Sequence, residues 1–99
     1  MKLTEAEAWE ALADYMEATG ELPPLQDGLV PRFWGLCYAL RCIEDASLIS
    51  YEVYESAKTR LKLMYGRGEK EGSYYWPPGQ LAPRIKACRH LAKLARSKA

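Results

Sequence analysis

The sequence predicts an all-α protein, a compact four-helix bundle with one central apolar helix and an aromatic Pro-Pro-Gly turn before the last helix. Three observations predict it. Apolar residues recur at helical spacing in four stretches, capping or breaking residues bound those stretches, and 99 residues leave room for one modest core and no second. With 48% apolar and 27% charged residues the balance is that of a globular domain, so 1–99 reads as a single helical domain with a flexible loop at 66–73 and a frayed tail at 97–99.

The first helix is expected over about residues 5–19. Thr4 followed by Glu7 is a capping box, in which hydroxyl and carboxylate each satisfy an amide that a helix start leaves without a partner. Trp9, Leu12, Ala13 and Met16 then share one face, and Gly20 with Pro23 and Pro24 supplies the stop. The second helix is expected from Pro31 or Arg32 to Asp45, with Pro31 in a first turn where its missing amide costs nothing. Phe33, Trp34, Leu36, Cys37, Tyr38, Leu40, Cys42 and Ile43 point all round its axis, the pattern of a helix packed on several sides. Gly35 falls inside this stretch, where it allows a close backbone approach or sits in an irregular first turn.

Ser50 is the next N-cap, flanked by Ile49 and Tyr54 at the two positions of a hydrophobic staple. The third helix should follow to about Tyr65, with Val53, Ala57, Leu61 and Met64 inward, Glu55 able to pair with Lys58, and Gly66 ending it. Polar, glycine-rich residues 66–73 read as a loop. In Tyr74-Tyr75-Trp76-Pro77-Pro78-Gly79, Pro78-Gly79 suits the centre of a type II turn. The fourth helix is expected from Leu81 or Pro83 to Arg96, burying Ile85, Cys88, Leu91, Ala92 and Ala95.

Net charge is only +1, but it is divided between the ends. Residues 1–27 set Lys2 against Glu5, Glu7, Glu10, Asp14, Glu17, Glu21 and Asp27, a balance of −6; residues 82–99 carry Arg84, Lys86, Arg89, Lys93, Arg96 and Lys98 with no acid, a balance of +6. Either the ends attract each other, within one fold or between subunits in a homo-oligomer, or each meets an oppositely charged partner. Glu7, Glu10, Asp14 and Glu17 line one stripe, a candidate partner-binding face toward a basic protein. Lys86, Arg89, Lys93 and Arg96 form a basic stripe of the kind that contacts phosphate. The rings of Tyr74, Tyr75 and Trp76 lie close in sequence to Arg84, Lys86, Arg89 and Lys93, which makes these seven the candidate ligand-binding set for a nucleotide or single strand. A chain this close to neutral is not expected to bind duplex DNA.

Catalytic chemistry finds little footing. His90 is the only histidine and falls on the outer side of the fourth helix, Glu44 and Asp45 are adjacent and diverge by about 100°, and Cys37 has apolar neighbours and no activating base. No enzyme activity, cofactor or metal is therefore expected. Cys37, Cys42 and Cys88 are an odd set without metal-ligand or disulfide spacing, the N-terminus is acidic where a secretory signal is basic, and no apolar run approaches the ~18 residues of a membrane span. A reducing cytoplasm and no membrane are expected.

Gly35-Leu36-Cys37 in an apolar helix, Leu48-Ile49-Ser50 opening the next, and Tyr75-Trp76-Pro77 before a basic last helix resemble small accessory proteins of tailed bacteriophages, across residues 35–89. The resemblance implies a protein of the host cytoplasm that acts by stoichiometric binding. Its implied effect is to inhibit a host defence system by masking a host protein or, alternatively, by sequestering a nucleotide-type ligand.

Overall fold

The first helix forms between its capping residues, and the third begins where Ser50 places it. In the computed structural model, which describes residues 2–20, 35–65 and 81–97, α1 spans Glu5–Thr19, α2 Gly35–Asp45, α3 Tyr51–Tyr65 and α4 Leu81–Ser97. Among the described residues all regular structure is helical, and none of these helices is long and apolar enough to cross a membrane. The expected start of α2 at residues 31–34, the loop 66–73, the aromatic turn and the last two residues lie outside the described residues, as do the side chains of 35–38 and Tyr65.

The capping box of α1 is complete. The Thr4 hydroxyl accepts from the Glu7 amide at 3.2 Å and the Glu7 carboxylate accepts from the Thr4 amide at 2.9 Å. At the other end Gly20 takes a left-handed conformation (φ 74°) and its amide bonds the Met16 carbonyl, which is why the helix stops there. Ser50 caps α3 through its hydroxyl, which accepts from the Val53 amide, while Ile49 and Tyr54 are both buried in the core.

The end of α2 carries a device that the sequence hides. Leu48 donates its amide to the Ile43 carbonyl and Ser47 donates to Glu44, the paired bonds of a Schellman cap. The residue at its left-handed position is Ser47 (φ 64°), where glycine is usual because a Cβ crowds the following carbonyl. Ser47→Gly is expected to stabilise the protein by about 1 kcal/mol, after the extra entropy of glycine in the unfolded chain is set against the relieved strain. A thermal melt would read this as a raised Tm; an unchanged or lowered Tm would mean the serine sits there without strain.

Packing turns the four helices into one body, with a Cα radius of gyration of 12.2 Å. The most extensive interhelix contact is between α1 and α4; α2 packs on α3, and α3 on α1. Glu10 reaches both Arg89 and Arg96 while Glu17 reaches only Arg89, so α1 and α4 run antiparallel. Trp9, Leu12, Met16, Leu40, Ile49, Leu61 and Leu91 form the bulk of a single core, closed by alanines 8, 13, 39, 57, 87 and 92 that let the helices approach closely. The Leu3 amide donates to the Leu48 carbonyl, tying the entry to α1 to the α2–α3 connection.

Several inward positions differ from expectation. Met64, expected to face inward, is 44% exposed, while Tyr54, Ala57 and Leu61 are buried and set the line of the α3 core contact. Lys58 lies over the Tyr54 ring, 5.5 Å from its centroid, in place of a pair with Glu55. The Glu55 carboxylate instead acts on Tyr51 and is the chief reason that its phenol is shifted upward. Ile85 and Ala95, expected to be buried, are half-buried.

Candidate functional site

The acidic and basic ends of the chain meet inside one molecule. Arg89 Nη1 donates to Glu10 at 2.6 Å and to Asp14 at 3.0 Å, Nη2 donates to Glu17 at 2.6 Å, and Arg96 Nη1 reaches the other Glu10 oxygen at 3.2 Å. The spacing makes this possible: Glu10, Asp14 and Glu17 follow at i, i+4 and i+7, one row of a helix, so a single guanidinium fork can bridge all three. These carboxylates hold the Arg89 guanidinium well above its ordinary value, Glu10 foremost. The fourth acid of the predicted stripe, Glu7, serves the α1 cap and is not part of the cluster.

A second polar node fastens α1 to α3. Glu5 accepts from Arg60 Nε at 2.6 Å and Nη2 at 3.3 Å, from the Ser56 hydroxyl at 2.8 Å, and from Trp9 Nε1 at 3.3 Å. Burial alone would raise the Glu5 carboxyl, but the Arg60 hydrogen bond, helped by Ser56, the Arg60 charge and Trp9, outweighs it and keeps the group below its usual range. Sequence reasoning missed this node. The one local signal is Glu5 four residues before Trp9; nothing in the sequence points from Glu5 to Arg60, 55 residues away.

The candidate ligand-binding set is therefore divided. Arg84 is buried, 9% exposed, and burial pushes its guanidinium downward. Arg89 is spent on three carboxylates. Lys86 and Lys93 stand exposed on the outer side of α4, beside His90, and Tyr74, Tyr75 and Trp76 lie outside the described residues. Among the described residues the predicted charges on α1 and α4 form a clamp between helices.

The remaining reactive groups are similarly quiet. Cys88 is fully buried, and burial pushes its thiol well above the usual range; Cys42, on α2, is shifted the same way by partial burial. Cys37 lies outside the described side chains. A shallow depression of about 470 Å³ opens on the flank of α3, lined by Glu55, Ser56, Thr59, Arg60 and Leu63. Leu63 at its edge is 80% exposed, and Tyr51 at the opposite end of the same helix is 60% exposed. No family model matches the chain, and neither a curated protein nor a solved structure matches it.

Proposed function

We propose that this chain is a small accessory binding protein of a tailed bacteriophage, which works by occupancy in the host cytoplasm and inhibits a defence system by masking a host protein. The observation that carries the reading is the use made of charge. Glu5, Glu10, Asp14, Glu17, Arg60, Arg89 and Arg96, the groups from which acid-base or phosphate chemistry would be drawn, hold helices together. What α3 and α4 turn outward is a mixed surface, with Leu63 at the edge of the α3 depression, Tyr51 and Met64 exposed elsewhere on α3, and lysines along α4. Aromatic and aliphatic side chains ringed by polar groups are the material of protein contacts.

In the same reading α2 is the central helix and the Pro-Pro-Gly turn braces the approach to α4. The alternative, capture of a nucleotide or single strand, keeps Lys86, Lys93 and the aromatic turn but loses Arg84 to burial and Arg89 to the clamp. Affinity capture from bacterial lysate, followed by titration of the captured protein's activity, tests the proposal. Inhibition that saturates at stoichiometric amounts of this chain is the expected result. Conversion of a substrate over many cycles by catalytic amounts would overturn it, and recovery of a bound nucleotide without a protein would favour the alternative.

A further inference from the structure

We infer that the outer face of α4 is the docking surface, and that it takes an acidic patch on a partner protein in preference to a nucleic-acid backbone. The inference rests on the occupancy reading and names the side of the molecule that carries it. It starts from the fact that α4, from Leu81 to Ser97, contains no acidic residue, so every compensating carboxylate must come from another element.

Those carboxylates come from α1 and reach only one flank. Glu10, Asp14 and Glu17 satisfy Arg89 and Arg96, while Lys86 and Lys93, about 60° further round the helix, have no ion pair among the described residues. Lys86, His90, Lys93 and Ser97 follow at i, i+4, i+7 and i+11 and are all exposed, a straight outward row. Between its two lysines the row runs about 10 Å along the helix. Uncompensated cations on a rigid helix attract and orient an anionic partner.

The flank decides which anion. Asp14 and Glu17 remain 69% and 63% exposed although they bond Arg89, so half-solvated carboxylates stand at Arg89, on the flank of the lysine row. A phosphodiester chain laid on α4 would run a repeating negative charge beside those carboxylates and be repelled by them. A folded partner can place two or three carboxylates over the lysines and keep that flank clear or cationic, which is the pattern of mixed charge by which proteins select one another.

Amide chemical-shift mapping on the whole 99-residue chain at low salt tests this, with two probes of equal net charge. One is a helical peptide with glutamates at i, i+4 and i+7; the other is a single-stranded oligothymidine. The expected result is shifts confined to the outer residues of α4 with the peptide, weaker binding of the oligonucleotide, and roughly a tenfold loss of peptide affinity in Lys86→Glu/Lys93→Glu. A peptide whose glutamates are replaced by lysines should then bind that variant. Both lysines are exposed, so an unchanged circular dichroism spectrum certifies the variant's fold. Tighter binding of the oligonucleotide, shifts centred elsewhere, indifference to the charge reversal, or self-association without peptide binding would each overturn the inference. Stoichiometric inhibition that survives the charge reversal would remove this docking face and leave the occupancy reading standing.

Discussion

Trp9→Ala is expected to cost about 4 kcal/mol, the largest effect of any single truncation considered, because the indole is a large, fully buried side chain in the common core. Domains of this size have only about 5–15 kcal/mol in total, so such a loss brings the chain close to unfolding at moderate temperature. Two terms add. The cavity left by the ring cannot be filled by the alanines at 8 and 13 beside it, and Glu5 loses the indole N–H that helps to hold its charge. Trp9→Phe separates them: it keeps most of the volume while removing the donor, and should cost much less. Chemical denaturation of the two variants provides the comparison, and equal losses would show that ring volume is not what the core requires at this position.

Replacing Glu5 gives the second-largest effect. Glu5→Ala removes one carboxylate that answers Arg60, Ser56 and Trp9 together, and is expected to cost about 2 kcal/mol, a figure reduced from that of a fully buried pair because solvent still reaches Arg60. The loss should depend on pH with a definite sign. A carboxyl held below its ordinary value of 4.5 contributes stability that is fully present above that value and disappears as the pH falls through the lower folded-state value. The gap between wild type and Glu5→Gln is therefore widest at neutral pH and closes on acidification below about 4.5. Denaturant midpoints between pH 7 and pH 3 supply the check; a constant gap would mean that Glu5 is held by packing alone.

The helices and their ends were legible because their causes are local. Thr4 with Glu7, Gly20, and Ser50 between Ile49 and Tyr54 each act within a few residues, and the structure puts α1 and α3 where those residues place them. The Ser47 cap was not legible, since serine in a left-handed conformation has no sequence signature of its own. Charge was half legible. The 100° step per residue puts Glu10, Asp14 and Glu17 in one row and Arg89 and Arg96 in another, but it says nothing about which rows face each other. An acidic row facing solvent and one facing an arginine look the same until the packing of α1 against α4 is known. Arg84 shows the converse: a guanidinium in a basic first turn reads as exposed, yet its place on the wheel between Ala87, Leu91 and Cys88 carries it into the core side of α4.

The central claim is that the acidic first helix and the basic last helix clamp each other within a single chain through Arg89. A double-mutant cycle addresses it most directly: denaturant midpoints for Arg89→Ala, for Glu10→Gln with Asp14→Asn and Glu17→Gln, and for all four together, at low and high salt. The account predicts that the four changes combined cost clearly less than the sum of the two separate losses, that this coupling shrinks as salt rises, and that it does not depend on protein concentration. Losses that simply add, or a coupling that grows with concentration, would contradict it.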